Sequence, residues 1–198
     1  MSSERDDARI GPGAMVLVVG PSGAGKDALI SGARAQLQSD PTFVFARRVI
    51  TRPAHAAEAH IPMSVAEFAE AERQGAFALS WLAHGVRYSI PADIDSDVRS
   101  GRLVVVNVSR AIIAEARSRY VRAPVVLIDC AIEIRAERLA MRGRERADEI
   151  LSRLRRTVDG FDHDAAAFTV DNGGPLDVGV ERFVAALKAI AAAAPQQP

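Results

Sequence analysis

The chain has 198 residues, enough for one α/β core with inserted subdomains, and its 25 basic residues balance 25 acidic ones. That balance gives no global field for nucleic acid or an anionic membrane, and no apolar stretch approaches the roughly 18 residues of a membrane span. The charged N-terminus, Ser2 to Asp7, lacks the apolar region of a signal peptide, and a lone Cys130 excludes an intrachain disulfide and reads as a buried structural thiol. The expectation is a cytoplasmic protein without nucleic-acid or membrane partners.

Met15-Val16-Leu17-Val18-Val19 is an apolar, β-branched run that reads as a buried strand, and the pattern from Asp27 to about Gln38 predicts a helix. Between them lies Gly20-Pro21-Ser22-Gly23-Ala24-Gly25-Lys26-Asp27, so a G-x-x-x-x-G-K spacing falls in the strand–turn–helix context of a phosphate-binding loop. Its glycines let successive N–H groups turn toward phosphate oxygens beside the positive end of the helix. Of the basic residues only Lys26 and Lys188 are lysines, so a chain that otherwise uses arginine has lysine where the motif needs it. These residues predict a nucleoside triphosphate site, with ATP and Mg²⁺ as the expected ligands. The residue after the lysine is ordinarily Ser or Thr, whose hydroxyl ligates Mg²⁺. Here it is Asp27, also a hard oxygen ligand, which adds negative charge beside the phosphates.

Asp40-Pro41 marks a break, after which Phe43-Val44-Phe45 leads into Arg47-Arg48-Val49-Ile50-Thr51-Arg52-Pro53, a strand running into a basic turn. Residues 54–63 read as a loop. Ser64-Val65-Ala66-Glu67 is a capping box opening a helix that ends near Gly75, and 77–82 with 86–90 form a hairpin. A short helix over 92–99 follows Pro91. Strands over 103–108, 125–130 and 168–170 then alternate with helices over about 110–120, from 132 with a break at Gly143 and a second part over 147–158, and over 176–193. The alternation predicts a parallel sheet covered on both faces. One domain is expected over 12–190, with its core at 12–41 and 91–190, an insert over 42–90, a lid at about 141–148, and disordered ends at 1–11 and 191–198.

A phosphoryl-transfer site needs an acceptor pocket opposite the phosphate loop and a means of excluding water. The insert offers Arg47, Arg48, Arg52, His55, Glu58, His60, His84, Arg87 and Tyr88. Any one of these histidines reads better as a solvated loop residue. Arg52 differs, because a Thr-Arg-Pro turn holds it at a strand end, which favours anion binding. Farther on, Arg135, Arg138 and Arg142 share one helix face. Glu137, Glu145 and Glu149 would lace such a face for solvent, whereas Arg142-Gly143-Arg144 sets two guanidinium groups about a flexible point able to close over ATP.

Together these residues resemble the guanylate-kinase-like P-loop kinases from about Met15 to Leu187. Of that family's Thr-Arg-Pro-x-Arg-x-Gly-Glu run, Thr51-Arg52-Pro53 and Glu58 match, while His55 replaces the second Arg and His60 the following Tyr. The family's base-reading Glu falls near Leu79, and Tyr88-Ser89-Ile90-Pro91 stands for its Tyr-Gly-Thr-Pro. Val106-Asn107-Val108 stands for its Ile-Asp-Val, so a carboxylate absent at Asn107 accompanies one gained at Asp27. Gly-Lys-Asp, Arg-Val-Ile-Thr-Arg-Pro, the Trp81–Gly85 run and Val-Val-Val-Asn resemble, within that group, the ribose bisphosphate kinases.

The resemblance implies a three-layer α/β P-loop kinase that moves the ATP γ-phosphoryl group to the 1-phosphate of α-D-ribose 1,5-bisphosphate. By the same resemblance, Lys26, Asp27, Arg138, Arg142 and Arg144 serve catalysis, and residues Gly20, Pro21, Ser22, Gly23, Ala24, Gly25, Lys26 and Asp27 hold ATP. Arg48, Arg52, His55, Glu58, His60 and Tyr88 bind the acceptor, and Asp27 with Asn107 binds Mg²⁺. The product would serve phosphonate breakdown or phosphoribosyl diphosphate supply, the partner is a small molecule, and a homodimer is left open. A nucleoside monophosphate kinase acting on GMP is the nearer alternative, and a catalytically silent binding module the more distant one.

Overall fold

The computed structural model describes residues 9–53, 60–83, 85–141 and 166–193. It opens on strand β1 (Ala14–Val19), followed by helix α1 (Lys26–Leu37) and strands β2 (Phe43–Phe45), β3 (Val49–Ile50) and β4 (Ile61–Pro62). Helix α2 (Val65–Arg73), strands β5 (Phe77–Ala83) and β6 (Val86–Pro91) and helix α3 (Ile94–Arg99) come next. Strand β7 (Leu103–Asn107) leads through a 3₁₀ turn (Arg110–Ile112) into α4 (Ile113–Arg119), and β8 (Val125–Asp129) into α5 (Ile132–Ala140). Strand β9 (Phe168–Asp171) and helix α6 (Leu176–Ala192) close the described chain.

Strands order as β2-β7-β1-β8-β9 in one sheet, and every pairing in it is parallel. A central parallel strand is buried on both faces, so its sequence is continuously apolar. All six residues of β1 are buried. Its side chains alternate: Ala14, Val16 and Val18 join one core, and Met15, Leu17 and Val19 the other. Residues of α1 and α6, such as Leu29, Ala33, Phe183 and Leu187, fill the first core. The second is filled by Ile94 and Val98 of α3, Ile112, Ala116 and Tyr120. Helices therefore cover both faces, giving the expected three-layer α/β architecture.

The strand order reverses at β1, with β7 on one side and β8 on the other, which opens a crevice at the carboxyl ends of these strands. A smaller sheet, ordered β4-β3-β6-β5, stands beside that edge. Its Leu79 and Ile90 belong to the second core, so the hairpin β5–β6 is joined to the main sheet by apolar burial. Ser64 caps α2 as a capping box: its Oγ accepts from Glu67 N at 3.2 Å, and its N–H donates to Glu67 Oε2 at 2.9 Å.

Several boundaries differ from the sequence expectation. Phe43–Phe45 pairs with β7 in the main sheet, so the second sheet begins only at Val49. Ile61–Pro62 is a strand parallel to β3, inside a stretch read as loop; two exposed residues carry no hydrophobic alternation to announce it. Ile10 pairs with Tyr120, and α6 continues to Ala192, so ordered structure reaches further at both ends.

Asp95 is buried at the amino end of α3, where its Oδ1 accepts from Tyr120 Oη at 2.6 Å and its Oδ2 from Arg119 at 2.5 Å. Burial and the Asp95 carboxylate hold the Tyr120 phenol well above its usual pKa. Truncating such a carboxylate strands both donors. Asp95→Ala is expected to lower unfolding stability by about 3 kcal/mol in urea titration, with nucleotide affinity unchanged.

Candidate active site

The loop Gly20–Gly25 leaves the carboxyl end of β1 and runs into α1 at Lys26. It lies tightly against the strand beside it, since a Cβ on Gly20 would come 2.1 Å from the Ile128 carbonyl oxygen. Lys26 curls back over this loop, its Nζ donating to Gly20 O at 2.7 Å and Pro21 O at 3.1 Å. Burial pushes its ammonium from 10.5 down to about 8; Asp27 opposes this, and Arg48, Arg110 and Arg135 reinforce it. A positive site short of solvent and surrounded by other cations suits a multiply charged anion.

Asp27, one residue on, meets the core strand and the smaller sheet. Its Oδ1 accepts from Asn107 Nδ2 at 2.7 Å and from Arg48 Nη2 at 3.1 Å. Asn107 is the last residue of β7, and register with β1 puts it opposite Val18, beside the start of the loop. The two positions whose carboxylate and amide are exchanged in the sequence therefore touch. Arg48 is mostly buried, and its guanidinium also stands 5.8 Å from the centre of the Tyr88 ring. Tyr88 in turn stacks on Trp81, at 5.4 Å between centroids and 8° between planes. A continuous line of contacts thus runs from the phosphate loop into the hairpin.

Arg52 sits in a turn held from two sides. Thr51 N donates to Arg87 O at 3.0 Å, and Arg87 N to Thr51 Oγ1 at 2.9 Å. His60, buried, has its Nε2 3.3 Å from Arg52 O and its own carbonyl bound by Arg47 Nη2 at 3.1 Å. The buried ring supports the turn that carries Arg52. His55 and Glu58 lie outside the described residues, as do His84, Arg142, Arg144 and most of the expected lid. Leu79, near the base-reading position, is 1% exposed within the core, and the neighbouring Ser80 Oγ donates to Glu72 Oε1 at 2.8 Å.

Arg138, expected in the site, packs near Gly25 and places Nη1 3.7 Å from Cys130 Sγ. Cys130 is buried, and that burial pushes its thiol up. Arg135, one turn earlier on α5, donates from Nε to Ser22 O at 3.2 Å. Arg110, in the 3₁₀ turn after β7, has its pKa lowered by burial and then by Arg135, against the pull of Asp129. Sequence reasoning did not select Arg110, Arg135 or Asn172 for the site. Arg135 was visible three residues before Arg138 on the same helix face. Arg110 and Asn172 carried no such signal, since only sheet order brings the ends of β7 and β9 to the loop.

The described chain superposes on guanylate kinase from Anaplasma phagocytophilum with a TM-score of 0.63 and 16% identity, over 90% of this chain and 86% of that one. The likeness is one of fold: a three-layer α/β architecture whose central strand runs into a phosphate-loop turn and a helix. No family model matches the sequence. The chain is 47% identical over 182 residues to the ribose 1,5-bisphosphate phosphokinase PhnN of Chelativorans sp. (strain BNC1), spanning 91% of this chain and 87% of that protein. It is 54% identical over 153 residues to the protein of the same description from Acidiphilium cryptum (strain JF-5), spanning 77% and 82%. It belongs to the ribose 1,5-bisphosphate phosphokinase PhnN family. Among the described residues no helix is long and apolar enough to cross a membrane.

Phosphate oxygens favour the charged form of Lys26, so nucleotide binding must raise a pKa that starts at about 8. Binding of ADP is therefore expected to take up protons, by about half a proton near pH 8 and more near pH 9. Affinity falls as pH climbs beyond that value. Titration calorimetry in buffers of different ionisation enthalpy measures the uptake, which Lys26→Met abolishes.

Proposed function

We propose that this protein transfers the γ-phosphoryl group of ATP to the 1-phosphate of α-D-ribose 1,5-bisphosphate, giving 5-phospho-α-D-ribose 1-diphosphate and ADP. The carrying observation is the line Asp27–Arg48–Tyr88, which joins an intact phosphate loop to a cationic acceptor side where buried Leu79 stands near the family's base-reading position and the nearby Glu72 carboxylate is taken up by Ser80 and Arg87. A guanine-selective site depends on buried polar pairing with the base. A sugar bisphosphate asks instead for cations and hydroxyl partners, and Arg48, Arg52 and Tyr88 provide them. The relatives' descriptions support the same acceptor.

The chemistry asks little of a general base, because the attacking atom is an ionised phosphate oxygen. Catalysis is then positioning and charge neutralisation. Lys26 exchanges the Gly20 and Pro21 carbonyls for the β- and γ-phosphate oxygens. Arg138, with Arg142 and Arg144 from the lid, places positive charge on the transferring group, and Arg135 braces the loop through Ser22 O. Arg48 and Arg52 hold the acceptor phosphates, with Tyr88 beneath Arg48 and His60 behind Arg52. His55 and Glu58 complete the acceptor side.

Among the described residues no three His, Cys, Asp or Glu side chains gather into a metal cage. Mg²⁺ does not need one, since it takes one or two carboxylates together with phosphate oxygens and water. The Asp27 carboxylate fits that requirement, with Asn107 as its neighbour. The ion, when bound, neutralises phosphate charge.

An ADP-release assay with ATP, Mg²⁺ and either ribose 1,5-bisphosphate or GMP tests the acceptor. Turnover with the sugar and none with GMP is expected, and turnover with GMP alone would overturn the proposal. For the metal role, Asp27→Ser is expected to lose roughly 100-fold in Mg²⁺-dependent rate. Adding Asn107→Asp should restore part of it, because the carboxylate returns to a position that touches the first.

A further inference from the structure

One buried side chain outside the loop holds the phosphate loop from behind. Asn172 follows β9 directly and is 2% exposed, and its backbone N–H donates to Asp129 O at 2.8 Å. Its Nδ2 donates to the carbonyl of Ala24 in the loop at 2.7 Å. Two glycines make the slot for the amide. A Cβ on Gly25 would lie 2.4 Å from Nδ2, and one on Gly179 of α6 would lie 2.5 Å from Oδ1. Gly25 also has φ +89°, a conformation other residues rarely adopt.

A trans peptide is planar, so the carbonyl of residue 24 and the N–H of residue 25 point in opposite directions. With Ala24 O drawn back onto Asn172, the Gly25 N–H is aimed the opposite way, away from the buried amide. The amide keeps this contact although its own Oδ1 has no hydrogen bond among the described residues. Of the isosteric side chains, Asp would set a carboxylate oxygen against the Ala24 carbonyl and Leu would offer no donor.

We propose that Asn172 is a positioning residue for nucleotide binding: it sets the Ala24–Gly25 peptide plane so that Gly25 N–H donates to a nucleotide phosphate oxygen. The inference rests on the reading of this loop as the nucleotide site. Its consequence is a selective one. Losing the Nδ2 contact frees the peptide to rotate, which weakens nucleotide affinity and leaves the acceptor side, built on β3 and β6, untouched.

The test starts with wild-type protein and ADP, followed by calorimetry and by the amide resonance of Gly25. No ADP binding at all would defeat the nucleotide reading itself. Binding without movement of the Gly25 resonance would leave that reading standing and overturn the role of Asn172. Asn172→Ala, Asn172→Asp and Gly179→Ala are then expected to weaken ADP roughly tenfold, with the KM for the acceptor unchanged. Tyr120→Phe, which removes a remote buried hydrogen bond, serves as the control for lost stability; it should lower the melting temperature without moving ADP affinity. Variants that melt early but bind ADP within about twofold of wild type would make Asn172 a packing residue only. Should the variants not fold, the wild-type Gly25 resonance decides.

Discussion

The carboxylate of Asp27 opens the helix that follows the phosphate loop, beside the Lys26 ammonium, and on the proposed reading it would by itself repel an arriving phosphate. Its oxygen is instead shared between the Asn107 amide and the Arg48 guanidinium, at 2.7 and 3.1 Å. Each partner comes from a different part of the chain: Asn107 from the core strand beside β1, Arg48 from the approach to the smaller sheet. One oxygen atom therefore fixes the phosphate loop, the main sheet and the acceptor side relative to one another. The position at the first turn of α1 helps, because a helix amino terminus favours negative charge.

The balance of charge around this point is local. The chain as a whole carries none, yet Lys26, Arg48, Arg110, Arg135 and Arg138 gather about one loop. Burial, reinforced by Arg48, Arg110 and Arg135 and opposed by Asp27, pushes the Lys26 ammonium down to about 8. An arrangement of this kind is strained electrostatically until an anion enters, and it ranks ligands by charge before shape. The loop itself is braced from outside by Arg135 on Ser22 O and Asn172 on Ala24 O, and from within by the Ala24 N–H on Pro21 O at 3.3 Å.

Positioning at this scale requires a rigid base. β1 supplies it by alternating its side chains into two separate cores, so that the strand end cannot rotate without unpacking both. The second core also takes in Leu79 and Ile90, which carries the order of the main sheet out to the hairpin that bears Tyr88 and Trp81. A buried leucine near the position where the wider family reads a base thus has a structural use as well as a selective consequence.

Local residue patterns were enough to determine the elements that depend on them. The run Met15–Val19 reads as a buried strand and is one, Gly20–Lys26 has the spacing of an anion loop and does connect that strand to a helix, and Ser64 with Glu67 announced its capping box. Asp27 and Asn107 could be paired as an exchange, though not seen to touch. Tertiary structure decided what depends on neighbours distant in sequence. β2 joined the main sheet because β7 offered an edge, β4 formed only because β3 was there to pair with, and His60 was buried beneath the Arg52 turn. Arg110 and Asn172 acquired a place at the loop only through strand order, 84 and 146 residues beyond Lys26 in sequence. A sequence pattern records the period of an element and its caps; which carboxyl ends meet at the crevice is set by how the strands stack.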